Sequence, residues 1–125
     1  MATMKEIRAR LRVLGLENEF GYRREIKRLP ECLERDETLI AITSGIREGA
    51  RWYILLTEHR LLLLSKPTMA DPRLVGIKRE EIRHTEHRKG FFLASLRIDT
   101  IGGSYTFTNV LKKSLPSFLS ALRKE

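Results

Sequence analysis

Cysteine is almost missing from this sequence. Cys32 is the one thiol, so no internal disulfide framework is available, and a reducing cytoplasm is the simplest compartment. Long apolar runs are missing too: none approaches the roughly 20 residues of a membrane-spanning helix. The N-terminus, MATMKEIRARLRVLG, alternates charged with apolar residues and lacks the apolar core and small-residue cleavage site of a secretory signal. Histidine is scarce. His84 and His87 stand three apart, on opposite faces of a strand, and with His59 they have no cysteine or acidic cluster for company, so no metal site is expected. No glycine-rich loop is built to cradle phosphate, because Gly102-Gly103 leads into a strand pattern and not a helix N-terminus. Ser44 and Ser104 have no base nearby in sequence. Glu80 and Glu81 are adjacent and so do not face each other, and Cys32, in an apolar helical context, reads as an inert buried thiol. These absences argue against an enzyme, a cofactor and a small-molecule substrate.

What is present suits one folded domain. A chain of 125 residues buries about two-thirds of its unfolded surface without staples, and 42% apolar with 32% charged residues is an ordinary globular balance. The net charge is +8, and residues 38–125 hold 15 of the 24 Lys and Arg but only 8 of the 16 Asp and Glu. That excess is able to attract an anionic membrane, a nucleic acid or an acidic partner, and charge alone does not choose among them.

The chain is organised around Ala50–Lys66, ARWYILLTEHRLLLLSK. Two apolar runs of strand length flank Thr57-Glu58-His59-Arg60, a break with room only for a tight turn. With Thr57 opposite Arg60, Leu56 meets Leu61, Ile54 meets Leu63 and Trp52 meets Ser65 on one face. Tyr53, Leu55, Leu62 and Leu64 occupy the other. A sheet wet on one side alternates apolar and polar residues; here both faces are apolar and both need cover. The hairpin is therefore expected to be a wall. Trp52, Ile54, Leu56, Leu61 and Leu63 should share an inner core with Ile98 and Phe107, and Phe20, Ile26 and Leu29 should cover Tyr53, Leu55, Leu62 and Leu64 from outside.

Around this wall, residues 3–14 predict a helix with Met4, Ile7, Leu11 and Leu14 on one stripe and Gly15 as its C-cap. A second helix is predicted from about Glu19 to Leu29, capped by Asn18, with Pro30–Leu33 as a separate turn. From Glu37 the period becomes two: Leu39–Thr43 is a strand, Pro67–Pro72 a loop, Arg73–Lys78 a strand, Arg79–Ile82 a polar corner, and Arg83–Lys89 links through Gly90 to Phe91–Asp99. Gly102-Gly103 turns into Ser104–Thr108, placing Ile98 opposite Phe107 and Thr100 opposite Tyr105. The tail, with Leu115, Phe118, Leu119 and Leu122 on one stripe, predicts a closing helix capped by Ser114 or Asn109. Roughly seven short strands without helical crossovers make an antiparallel, mainly β fold with flanking helices, a small sandwich or partly open barrel that the tail helix plugs.

Taken in order, Leu29-Pro30-Glu31-Cys32-Leu33, Glu37-Thr38-Leu39-Ile40-Ala41 with Thr43-Ser44-Gly45, the hairpin Leu56–Leu63, Gly90-Phe91-Phe92 and Asn109-Val110 resemble the bacterial pleckstrin-homology-like domains of the YokE-like type. The resemblance covers about residues 24–124. It implies a PH-like barrel of two near-orthogonal antiparallel sheets capped by a C-terminal helix, residues 23–125, after an N-terminal helical extension, residues 1–22. It also implies a binding module in place of an enzyme, and names no ligand. The phosphoinositide motif of eukaryotic relatives is not matched, since the first strand pair offers only Arg47 and Arg51. At the central turn relatives usually place Asn or Asp before a basic residue. Glu58-His59 suits positive φ less well, which predicts a longer turn.

Three functional readings follow. The first is protein–protein interaction, including self-association, with Met4, Ile7, Leu11 and Leu14 as the candidate surface; that helix is free to pack on its own sheet, on another subunit or on a membrane. The second is peripheral binding to an anionic membrane through Arg47, Arg51, Lys66 and Arg73 in the inter-strand loops. The third is nucleic-acid binding through Arg83–Lys89, a stretch with no interleaved aromatics for base stacking.

Overall fold

The computed structural model describes residues 2–65 and 73–123; the expected loop at Pro67–Pro72 and Lys66 lie outside them. Helix α1 spans Met4–Val13, a one-turn α2 spans Glu17–Phe20, and α3 spans Leu29–Cys32. Seven strands follow: β1 Leu39–Arg47, β2 Ala50–Thr57, β3 Arg60–Ser65, β4 Arg73–Lys78, β5 Ile82–Lys89, β6 Ala94–Thr100 and β7 Gly103–Val110. Helix α4, Leu115–Arg123, closes the chain. The strands form one antiparallel sheet in the order β4-β3-β2-β1-β7-β6-β5, with β4 and β5 as its edges, so the sheet is not closed.

The central hairpin is β2–β3, and its register is the one the sequence predicts: Leu56 opposite Leu61, Leu55 opposite Leu62, Ile54 opposite Leu63 and Tyr53 opposite Leu64. The link is not longer than two residues. Neither Glu58 nor His59 takes a positive φ. A side chain does the work instead: the Thr57 hydroxyl accepts the His59 and Arg60 N–H groups at 3.2 and 3.1 Å and donates to Glu37 Oε2 at 2.6 Å. Arg60 then forks onto both Glu37 oxygens at 2.8 Å and reaches the Cys32 carbonyl at 2.9 Å. The Glu37 side chain is wholly buried. Burial opposes its ionisation, but Arg60, Thr57 and the Glu34 N–H outweigh that and hold its pKa down at about 2.

Both faces of the hairpin are covered. Trp52, Ile54, Leu56, Leu61 and Leu63 share one core with Leu96, Ile98, Phe107, Phe118 and Leu119. That core draws on β2–β3, β6–β7 and α4, so the sheet bends over itself around the closing helix. Gly45 permits the bend where β1 meets β7, because a Cβ there would lie 2.8 Å from the Phe107 Cβ. The Ser114 hydroxyl, just before α4, pairs with Thr43 Oγ1 at 2.8 Å inside the core. Tyr53, Leu55, Leu62 and Leu64 share a second core with Ile7, Leu11, Leu16, Phe20, Ile26 and Leu29.

The cover itself departs from expectation in form. The second helix does not run from Glu19 to Leu29. It is broken into α2, a 3-10 turn at Ile26–Arg28 and α3, and the residue before α2 is Leu16, not Asn18. Short turns let Phe20, Ile26 and Leu29 all reach one sheet face, which a straight helix would present at 100° steps. Helix α1 is as predicted. Thr3 caps it, accepting the Glu6 N–H at 3.2 Å. Its end carries the paired Schellman bonds, Leu16 N–H to Leu11 O at 2.8 Å and Gly15 N–H to Arg12 O at 3.1 Å.

One register also differs. Thr100 pairs with Gly103, Ile98 with Tyr105 and Leu96 with Phe107, so the β6–β7 turn is Ile101-Gly102. The Thr100 hydroxyl closes the turn a step early, accepting the Gly102 N–H at 3.2 Å and donating to the Gly103 carbonyl at 2.8 Å. The shift is by two residues, so Ile98 and Phe107 still point inward.

Candidate functional site

Of the four cations expected at an anionic surface, Arg47, Arg51 and Arg73 lie in the described residues. Arg47 is occupied: its guanidinium lies 4.9 Å from the Tyr105 ring and 5.9 Å from the Trp52 ring and pairs with Glu48 at 3.0 Å. Arg51 is on the other face of the hairpin, the face of Tyr53. It is exposed, and its Nη1 donates to Ser44 Oγ at 3.3 Å. Arg73 is exposed at the start of β4, opposite Ser65. Lys66 lies outside the described residues.

The α1 stripe faces the chain's own sheet. Ile7 and Leu11 are buried against the chain's own sheet, and Met4 and Leu14 pack at the margin of the same cluster. Tyr53, Leu55, Leu62 and Leu64 need cover, and residues 4–14 are tethered close enough to supply it at a lower entropy cost than a second chain.

Apolar surface is exposed elsewhere, at the β5–β6 turn. Phe91 is 86% and Phe92 80% exposed, and Leu93 is partly so. The Gly90 N–H donates to the Leu93 carbonyl at 2.8 Å. This bond makes Phe91 and Phe92 the two residues at the tip of a two-residue turn, their rings edge to face at 4.6 Å. Turn tips favour Gly, Asn and Asp, and neither ring packs on the core, so local structure gives no reason for two phenylalanines. Gly90 is required, since a Cβ there would lie 2.8 Å from the Leu93 carbonyl oxygen. The Lys112 ammonium donates to the Gly90 and Phe91 carbonyls at 2.9 and 3.1 Å and fastens the tip to the segment before α4. Arg88 and Lys89 are exposed on the strand that leads into it.

Beside the tip, a groove of about 420 Å³ runs between the N-terminal cover, β1–β2 and the end of β7, with Arg23, Ser44, Arg51, Tyr53, Leu93 and Asn109 on its walls. Asn109 has φ +52, a left-handed conformation that asparagine tolerates. Arg23 Nε donates to the Glu19 carbonyl at 3.1 Å, and the Glu19 carboxylate pairs with Lys113 at 3.2 Å. Burial raises the Tyr53 hydroxyl pKa, and Glu25 adds to the rise, while Arg23 and Arg51 both pull it down. Cys32 is poorly placed as a nucleophile: burial, with Glu31 next, raises its thiol pKa. Among the described residues no three His, Cys, Asp or Glu side chains converge as a metal site.

The sequence reading missed the turn tip because it assigned Phe91 to a strand. The signal was there in Gly90 followed by two aromatics directly after the polar run Arg83–Lys89.

A bent seven-stranded antiparallel sheet with a C-terminal helix in its core is the pleckstrin-homology-like class of scaffold. The Bacterial PH domain family model matches residues 33–124, and the chain belongs to that family. Solved structures agree on the fold. The C-terminal domain of an unknown protein from Leishmania infantum is 23% identical with a TM-score of 0.58, over 78% of this chain and 94% of that one. A DUF1696-family protein with a pleckstrin-homology domain from Shewanella loihica is 18% identical with a TM-score of 0.52, over 77% and 87%. A pleckstrin homology domain from Shewanella amazonensis is 20% identical with a TM-score of 0.55, over 75% and 87%. No curated protein matches.

Proposed function

We propose that this domain is a non-enzymatic, cytoplasmic module that binds the surface of an anionic lipid bilayer with the Phe91–Phe92 turn inserted at the interface. The observation that carries the reading is the pair of exposed rings on a turn with Arg88, Lys89, Lys112 and Lys113 close by in strand and chain. Burying one phenylalanine side chain is worth about 1.5–3 kcal/mol, and each cation near an anionic membrane adds about 1 kcal/mol. Neither alone gives firm attachment; together they do. The competing protein–protein reading loses its main support, because the α1 stripe and both faces of the central hairpin are already covered.

Co-sedimentation with phosphatidylcholine vesicles, with and without phosphatidylglycerol, tests the reading. Binding should require the anionic lipid, weaken with salt, and fall at least tenfold in Phe91→Ser/Phe92→Ser while the melting temperature stays unchanged. Binding indifferent to lipid charge and salt overturns it. So does a concentration-dependent dimer that the same double substitution dissolves, which would make the tip a protein contact.

A further inference from the structure

The sheet has two free edges, and they are not alike. β5 carries the usual guards of an exposed edge: a bulge between Ile82 and His84, and charges at Arg83, Glu86, Arg88 and Lys89. β4 has neither guard in its middle. Its pairing with β3 runs without a shift, and Leu74-Val75-Gly76-Ile77 is uncharged, with Leu74 47% exposed. One contact fixes the phase of its hydrogen bonds. The Arg79 N–H donates to the His59 carbonyl at 3.0 Å, one pair beyond Lys78 and Arg60. Bonded and unbonded pairs alternate along an antiparallel ladder. Arg73, Val75 and Ile77 therefore bond to β3, and Leu74, Gly76 and Lys78 turn their N–H and C=O groups outward. The Lys78 N–H donates to Glu81 Oε1 at 3.1 Å. No backbone hydrogen bond among the described residues reaches the outward groups of Leu74 and Gly76. Gly76 is exposed at the centre of this edge, yet its own chain does not require glycine there. A Cβ would lie 3.5 Å from Arg60 Nη1 and 3.8 Å from Leu62 Cδ2, both ordinary contacts. A bare residue in mid-strand lets another backbone approach closely.

We infer that the outer edge of β4 binds an extended segment of a partner protein, added as an antiparallel strand with apolar residues at its centre and an acidic residue at each end. The acidic ends answer Arg73 and Lys78, which are exposed at the two ends of β4 and pair with no carboxylate among the described residues. Of the acids that follow in the chain, Glu81 is held by the Lys78 N–H, and Glu80 lies past the last β4 pair. A large side chain opposite Gly76 fills the space that the missing Cβ leaves. A second copy of this chain does not meet the same need. Two β4 strands in full antiparallel overlap would set Arg73 of each against Lys78 of the other, like charges directly opposite. β4 and the Phe91–Phe92 hairpin stand at opposite ends of the strand order, so the inference does not rest on the membrane reading.

The test uses the full chain, no lipid, and a capped peptide, Glu-Val-Phe-Thr-Val-Asp, with fluorescein attached beyond its C-terminus. Paired antiparallel, it sets Glu opposite Lys78, Phe opposite Gly76 and Asp opposite Arg73. Fluorescence polarisation should show it binding about tenfold more tightly than the same peptide with lysine at both ends. Arg73→Glu/Lys78→Glu should reverse that order with the melting temperature unchanged. Methylation of single peptide N–H groups reads strand addition directly. A methyl on the Phe N–H, or on that of the Val beside Asp, should abolish binding, because these groups meet Gly76 and Leu74. A methyl on the Thr or on the other Val, whose N–H groups face away, should change affinity by no more than about twofold. Amide exchange at Leu74 and Gly76 should slow in the complex. Absence of binding at millimolar peptide, equal binding of the acidic and lysine peptides, or equal loss from the two sets of methyls overturns the site. So does a concentration-dependent dimer of the parent that excludes the peptide, which would make this edge a contact between copies.

Discussion

The two halves of the sheet bury their residues differently. In β2 and β3 nearly every residue is buried at both parities, whereas β5 is largely exposed and β7 buries only Phe107 and Val110. The inner face is common to both halves; the outer face is not. The N-terminal helices cover the outer face of β1–β3, and the β5–β6 hairpin carries two exposed phenylalanines at its tip. The contrast separates apolar residues that serve folding from apolar residues left for something else. Abundance does not make the distinction: the leucine-rich hairpin is covered on both faces, and the short aromatic turn is exposed.

The sharpest break of this contrast would come from the outer leucines. Leu62→Ala removes a side chain fully buried under the N-terminal cover and should cost about 2–5 kcal/mol in urea denaturation. Thr106→Ala, on the exposed side of β7, should stay within about 0.5 kcal/mol. Equal and small effects would mean that the helices contribute no cover.

Next in size is the buried ion pair that joins the cover to the central turn. Glu37→Gln strips the Arg60 fork of its charge and should cost on the order of 2–3 kcal/mol near neutral pH. The pH dependence has a defined sign. The folded pKa of Glu37, about 2, lies below its ordinary 4.5, so the stabilisation is complete above pH ~5 and fades as pH falls from about 4.5 toward 2. The parent and Glu37→Gln should therefore converge in stability in acid. A gap that persists at pH ~2 would assign the effect to lost shape and not to charge.

The smallest effect concerns the tip. Gly90→Ala sets a Cβ against the Leu93 carbonyl and should cost about 1–2 kcal/mol, with amide exchange rising locally at residues 89–94. No local change would show that the turn is not held in the described form.

How legible each feature was depended on its range. Period two with apolar residues at both parities made the β2–β3 register and its two-sided burial readable, because each strand residue has one of two directions to face. The β6–β7 turn was misplaced by one step because a threonine hydroxyl, not the glycine pair, set its closure. The break at α2 was missed because Phe20, Ile26 and Leu29 fit a helical spacing loosely, and contact with the sheet favoured three short turns. At the candidate site Arg51 was legible as a loop cation. Arg23, which lines the same groove, comes from the N-terminal cover, and no local pattern joins them.

By itself the sequence determined the class of fold, the register of the central hairpin, the glycine that ends α1 and the presence of a closing helix. These depend on periodicity and capping chemistry, which act over a few residues. Tertiary structure alone decided which apolar stripe stays exposed. The Met4–Leu14 stripe and the Phe91–Phe92 pair are both apolar as text, but the first lies over a sheet face to which it is tethered, and the second sits at an exposed turn tip that joins neither core. Burial is a competition for neighbouring surface, and that competition is settled only when the whole chain is in place.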